Sequence, residues 1–290
     1  MVVTPASSIS AVTLRAEQPV AVFDSGVGGL TVLHELLVSL PTEDYVYLGD
    51  TARFPYGERS PQQLEQSAIE IAELLLDRGA KLLVVACNTV SSVALEPLEQ
   101  HLARTGREVD VIGVVATATQ QAVAGSRTGR IGLLATPATV SSGAYERAVA
   151  SADPHVHLES VGCPDLAPII QGGSPFDEQV VETVREYCAP LRAAEVDTVI
   201  LGCTHYPLVA PMLQRMLGRG VTLVTPGTGV ARSVERALAA RGRLNPQQDE
   251  GSYQFLCTGS VDSFRALGTR FLQMPLGEVL RAELGARAAA

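Results

Sequence analysis

The sequence predicts an open, parallel α/β fold made of two related halves, and three observations carry that expectation. Short runs rich in Val, Ile and Leu alternate with amphipathic stretches of helical length. Within the runs, apolar residues follow one another with little polar alternation, as suits parallel strands covered on both faces. One segment also repeats another. At an offset of 116 residues, AKLLVVACNT (80–89) lies over VDTVILGCTH (196–205), apolar over apolar and Cys over Cys. Upstream, AVFDSGVGGL (21–30) lies over IGLLATPATV (131–140) at an offset of 110–112, a strand ending in a polar turn in both copies.

The predicted strands, in order, are VAVFD (20–24), YVYLGD (45–50), KLLVVA (81–86), VDVIGV (109–114), RIGLLA (130–135), HVHLESV (155–161), DTVILG (197–202), VTLVT (221–225) and YQFLC (253–257). Ser60-Pro61-Gln62-Gln63 combines an N-cap, a proline at the first helical position and a capping-box Gln, and so opens a helix that stops near Gly79. Ser174-Pro175-Phe176-Asp177 repeats that signal for a helix through about Leu191. The first residues lack the charged start and apolar block of a secretory signal and read as a flexible extension.

Composition narrows the function classes. At 290 residues two moderate domains are the default, and 46% hydrophobic residues are enough to fill their cores. No apolar run approaches the roughly 20 residues of a membrane span. Lys and Arg number 22 against 31 Asp and Glu, a net charge of −9, with no basic run, which argues against nucleic acid as a partner. The five cysteines form no C-x-x-C pair, so neither a disulfide framework nor a metal site is expected. Reduced thiols in a cytoplasmic protein fit better.

Ligands of open parallel sheets bind at the carboxyl ends of the strands. Two halves facing each other across a pseudo-twofold axis therefore bring Cys87 and Cys203, which end corresponding strands, to opposite walls of one cleft. A lone buried cysteine is usually an inert core filler; a matched pair is a candidate for chemistry. Each thiol precedes a helix, whose exposed N–H groups favour a thiolate. Each also has a proton partner in prospect, His205 for Cys203 and Asp24 for Cys87. By contrast, Cys163, Cys188 and Cys257 are expected in the core, and His34 and His101 on helices, solvated.

Asp24-Ser25-Gly26-Val27-Gly28-Gly29 follows a strand and precedes a helix, but the dinucleotide fingerprint fails because Thr31 stands where its third Gly is needed. The glycines read either as a tight turn or as part of a site. Asp50 to Gly57 is either an ordinary turn or a ligand-binding lip. Two thiols on opposite faces suit the inversion of a tetrahedral carbon, one removing a proton while the other supplies one. No lysine signal for pyridoxal is present, so fixed hydrogen bonds and exclusion of water must stabilise the carbanion.

Taken together, Phe23-Asp24-Ser25-Gly26-Val27-Gly28-Gly29-Leu30, Gly49-Asp50-Thr51, Pro55-Tyr56-Gly57, Ala86-Cys87-Asn88-Thr89 and Leu201-Gly202-Cys203-Thr204-His205-Tyr206-Pro207-Leu208 resemble the signatures of glutamate racemase, in order and spacing over about residues 20–275. The resemblance implies two flavodoxin-like halves: 19–114 with 226–290 as the first domain and 115–225 as the second, after an N-terminal extension of 1–18. It implies a cofactor-independent enzyme interconverting L- and D-glutamate for peptidoglycan. Cys87 would deprotonate D-glutamate and Cys203 L-glutamate, with Asp24 and His205 assisting. Asp24-Ser25, Tyr56-Gly57, Asn88-Thr89 and Thr204-His205 would hold the substrate, with Thr136 and Thr139 nearby. Homodimers are implied as well.

One position departs from the pattern. The family often carries Glu at the end of C-P-x-x-x-P-x-x-E, where this chain has Gln171 after Cys163-Pro164. Gln cannot relay a proton at neutral pH, so an altered pH profile is expected in the L-to-D direction. Two other readings stay open: an aspartate-type racemase, which Asn88-Thr89 and Thr204-His205 disfavour, and a catalytically silent binding protein of the same fold, for instance one regulating DNA gyrase, which the presence of both cysteines, Asp24 and His205 disfavours.

Overall fold

Residues 14–172 and 177–285 are described by the computed structural model. Among them, ten strands form two all-parallel sheets: β1 (Val20–Asp24), β2 (Tyr45–Gly49), β3 (Leu82–Val85), β4 (Asp110–Gly113), β5 (Arg130–Ala135), β6 (His157–Gly162), β7 (Thr198–Gly202), β8 (Thr222–Val224), β9 (Tyr253–Cys257) and β10 (Val279–Arg281). One sheet runs β10-β9-β2-β1-β3-β4, the other β6-β5-β7-β8. Adding four to each strand number converts β2-β1-β3-β4 into the smaller sheet. The sequence repeat is thus a repeat of topology, and the added β9 and β10 belong to the first sheet alone.

All nine expected strands are present, and no end moves by more than two residues. The tenth was not expected. Its three residues include Arg281, and only Val279 is buried, so it lacks the apolar run that marks the others. In contrast, β1 and β7 are buried along their whole length, as strands covered by helices on both faces must be.

Helices start where the chain offers side-chain acceptors to their unpaired N–H groups. Ser60 Oγ accepts from Gln63 N at 3.3 Å while Gln63 Oε1 accepts from Ser60 N at 3.0 Å, and the helix Pro61–Asp77 follows. The second expected start is realised with Asp177 as the cap, its Oδ1 accepting from Val180 N at 2.9 Å, and the helix is Glu178–Ala193. Ser174, Pro175 and Phe176 of that signal lie outside the described residues, as do residues 1–13 of the expected extension. The part of the extension that is described, residues 14–18, makes a turn rather than a loose tail. Gln18 N donates to Arg15 O at 3.2 Å, and Lys81 Nζ donates to Ala16 O.

That lysine sits at the base of the larger sheet. Lys81 and Glu43 are fully buried and pair at 2.6 Å, and Glu43 Oε1 also accepts from Asn245 N at 2.8 Å. Three distant segments, 14–18, 43–45 and 243–247, are thereby tied to the start of β3. Removing one partner of a buried pair strands the other charge, which costs about 3–5 kcal/mol. We expect Lys81→Met to lower unfolding stability by about that amount in a denaturant titration, and Lys81→Met/Glu43→Leu to recover most of it.

Candidate active site

In each sheet the connections leave in opposite directions from the central pair, β1 and β3 in the larger and β5 and β7 in the smaller. Ligands collect at such switch points, beyond the carboxyl ends of the strands. Asp24 ends β1 and Cys87 follows β3; Thr136 follows β5 and Cys203 follows β7. The two switch points meet. Thr89 Oγ1 and Thr136 Oγ1 lie 3.0 Å apart across the halves, and Thr204 Oγ1 donates to Asp24 Oδ1 at 3.4 Å. Between them is a narrow cleft with walls from both halves.

Both thiols line this cleft, together with Ser25, Tyr56, Gly57, Asn88, Thr89, Thr136, Thr204 and His205. Two of the expected residues stand behind the wall instead. Asp24 is fully buried, and its Oδ2 accepts from Gly29 N at 3.0 Å and Gly26 N at 3.2 Å. Thr139, also fully buried, shares a hydroxyl triad with Thr136 at 3.0 Å and Thr89 at 3.4 Å. The expected reach of Asp24 to Cys87 takes another form. Asp24 acts on that thiol through its charge, which disfavours the thiolate, while the Ser25 side chain beside it favours the thiolate.

The glycines of the first turn serve close approach, since Gly26, Gly28 and Gly29 all lack positive φ. A Cβ at Gly28 would lie 2.3 Å from Thr204 Oγ1 and 2.6 Å from His205 Nδ1. The turn thus forms the surface on which the second half rests. Asp50 to Gly57 is a braced lip of the cleft. Asp50 accepts from Arg53 Nε at 2.5 Å, from Thr258 Oγ1 at 2.7 Å and from the Tyr56 hydroxyl.

Burial governs the electrostatics. The N–H groups that follow each thiol favour the thiolate, as expected, but burial outweighs them. Cys87 caps a helix of only six residues and Cys203 precedes a short 3-10 turn, while both side chains are shut away from water. Desolvation, joined by the charge of Asp24, pushes Cys87 up to about 12 against the pull of the Val90 and Ser25 donors. Desolvation also raises Cys203, with the His205 N–H opposing it and Asp24 and Cys87 adding to it. Asp24 itself is raised by desolvation against its backbone donors.

His205 is lowered to about 4 by burial, so its imidazole is neutral near pH 7. The Phe54 ring lies tilted against it at 5.5 Å and Phe271 meets it edge-on at 5.1 Å, which keeps water away. Its Nε2 lies 2.9 Å from Gln171 Oε1 and its Nδ1 3.8 Å from Cys203 Sγ. An amide oxygen only accepts, so the ring proton belongs on Nε2 and the free lone pair of Nδ1 faces the thiol.

Cys163, Cys188 and Cys257 are core residues, as expected. His34 and His101 do lie on helices, but half-buried and engaged, with Leu272 O and Glu73 Oε1 respectively. Sequence reasoning missed Phe54 and Phe271 around the histidine and Tyr145, whose hydroxyl donates to Asn88 Oδ1 at 2.7 Å. No local pattern announces them: Phe54 lies within the lip with nothing to mark it apart, and Phe271 and Tyr145 read as ordinary apolar-face aromatics of helices.

The chain matches the Asp/Glu/hydantoin racemase family over residues 30–234. It belongs to that family. This racemase is 38% identical over 266 residues to the glutamate racemase of Bacillus cereus, covering 92% of this chain and 97% of that protein. Its fold superposes on the glutamate racemase isoform RacE1 of Bacillus anthracis with a TM-score of 0.87 at 33% identity, covering 93% of this chain and 98% of the other. The glutamate racemase of Francisella tularensis in complex with D-glutamate gives 0.85 at 29% identity, covering 92% and 98%. Those likenesses span both sheets. No described helix is long and apolar enough to cross a membrane.

The Gln171 contact makes a direct prediction. A carboxylate in place of that amide favours the imidazolium, so Gln171→Glu raises the His205 midpoint from about 4, read by NMR titration of the ring. The sign for stability follows. A histidine held below its ordinary 6.5 contributes stability that is complete above 6.5 and lost as pH falls toward about 4, and the variant narrows that window. A midpoint that does not move would mean that Gln171 is not the electrostatic neighbour of His205.

Proposed function

We propose that this protein is a cofactor-independent glutamate racemase that moves the Cα proton between Cys87 and Cys203, and that its D-glutamate serves peptidoglycan synthesis. One observation carries the reading: two thiols at topologically equivalent strand ends line a single cleft. The named glutamate racemases and the D-glutamate in the Francisella tularensis complex support glutamate over aspartate.

From D-glutamate, the Cys87 thiolate removes the Cα proton on one face and the Cys203 S–H supplies a proton to the other, giving L-glutamate. Cys203 is then the thiolate and Cys87 the thiol, ready for the reverse reaction. Their titrations belong to the pair. Burial alone keeps either thiol from ionising readily, and the charge of Asp24 opposes ionisation of both. The α-ammonium of a bound amino acid reverses that balance, because a cation in a water-poor site favours nearby anions. Substrate binding therefore creates the base it needs. His205, neutral with Nδ1 toward Cys203, assists the second thiol by accepting its hydrogen bond.

The polar residues supply the grip. The Tyr56 hydroxyl is committed to Asp50, so Tyr56 and Gly57 hold a carboxylate through backbone N–H groups. Ser25, Asn88, Thr89, Thr136, Thr204 and His205 surround the remainder, with Asp24 and Thr139 fixing their positions from behind. Fixed donors of this kind stabilise the carbanion without reorganising.

In D₂O, with metal-free protein and no added cofactor, the α-proton NMR signal of D-glutamate should disappear while that of D-aspartate persists. Cys87→Ser and Cys203→Ser should each slow racemisation on the order of 10²–10⁴-fold. Loss of the aspartate signal alone would make the protein an aspartate-type racemase, and persistence of both would favour a silent binding protein. Because two enantiomers are equally stable, kcat/KM must be equal in both directions at every pH, and asymmetry can appear only in kcat and KM separately. Gln171→Glu should therefore move the acidic limb of the kcat profile upward chiefly with L-glutamate, the substrate of Cys203. Unchanged kcat profiles in both directions would remove Gln171 from the mechanism.

A further inference from the structure

Asn88 is the residue next to the first thiol, and its carboxamide is half satisfied. Its Oδ1 accepts from the Tyr145 hydroxyl at 2.7 Å. Its Nδ2, though buried, has no hydrogen-bond partner, and the residue lines the cleft. A buried amide N–H₂ without an acceptor is a donor awaiting a ligand. Tyr145 is itself fully buried, on the helix Ala144–Ala152 that follows β5, and Asn88 Oδ1 is its one hydrogen-bond partner among the described residues. A buried phenol must donate its proton, and the amide oxygen is the acceptor it finds. Rotating the carboxamide by half a turn would set N–H₂ against O–H and leave the phenol proton unpaired. The phenol therefore fixes which end of the amide faces the cleft.

The two partners belong to different halves: Asn88 follows β3 and Tyr145 follows β5. Their hydrogen bond therefore forms only when the halves meet, so the same contact that closes the cleft also orients the amide.

We propose that Tyr145 is a positioning residue that holds the Asn88 carboxamide with its N–H₂ toward the cleft, where it donates to a carboxylate of the substrate. This inference rests on the glutamate racemase reading. Nothing in it requires Tyr145 to touch the substrate. Its removal weakens binding by releasing the amide, and the proton transfer between thiols continues.

The test is a double-mutant cycle of Tyr145→Phe and Asn88→Ala, with KM and kcat measured for both enantiomers. Tyr145→Phe should raise KM about tenfold in both directions, the scale of one hydrogen bond to a charged group, and lower kcat less than about threefold. The double variant should match Asn88→Ala alone, since Tyr145 acts through that amide. Additive losses would assign Tyr145 an independent packing role and overturn the proposal, as would an unchanged KM. If Tyr145→Phe does not fold, the unsubstituted protein labelled with ¹⁵N-asparagine still decides. The Asn88 side-chain N–H₂ signals should shift on addition of D-glutamate, and signals that stay in place would overturn the proposal. Were the unsubstituted protein to turn over no glutamate at all, the racemase reading itself would fall, and this inference with it.

Discussion

Desolvation is the constraint on which the rest of the site depends. Two parallel sheets set carboxyl end to carboxyl end enclose a space that water barely reaches, and the two thiols and the histidine at it, with the carboxyl behind them, are shifted toward their neutral forms. Cys87, Cys203 and Asp24 are raised and His205 is lowered, each with burial as the leading cause. Charge enters with the ligand, and the hydrogen bonds already aimed into the cleft act at full strength because no solvent competes with them.

The larger sheet carries the scaffolding for this arrangement. Thr258, just past β9, donates to Asp50 at 2.7 Å, and Gly259 N donates to Thr51 Oγ1 at 3.0 Å. Through these bonds the C-terminal segment holds the lip that contains Tyr56 and Gly57. At the opposite end of the strands, the Lys81–Glu43 pair ties the residues just before β1, β2 and β3 to the loop before β9. Among the described residues the second half has no counterpart of β9 or β10, and it leans on the first, with Thr204 and His205 seated against Gly28.

Much of this was legible in the sequence, for identifiable reasons. Fully buried parallel strands write themselves as unbroken Val, Ile and Leu runs, so nine were found, and the repeat pointed to two related halves. β10 escaped because an edge strand of three residues with one buried side chain leaves no such run. The two cysteines and the polar residues beside them were readable because they sit next to those strands in the chain. What the sequence could not supply was depth. The order strand, cysteine, helix pointed to easy thiolates, but the helices are short and burial outweighs them. Asp24 was rightly placed at a strand end, yet the direction of its carboxylate, toward Gly26, Gly29 and Thr204, depends on a neighbour 180 residues away. For the same reason, Tyr145 is invisible until Asn88 is seen beside it.

The repeated strand order has a consequence for symmetry. A single four-stranded unit of order 2-1-3-4 presents one thiol, and two such units facing each other complete the pair. Held in one chain, each wall carries its own sequence. The lip braced by β9 and the histidine capped by Gln171 each exist on one side only. A catalyst for a mirror-symmetric reaction has thus become, in its own structure, left- and right-handed.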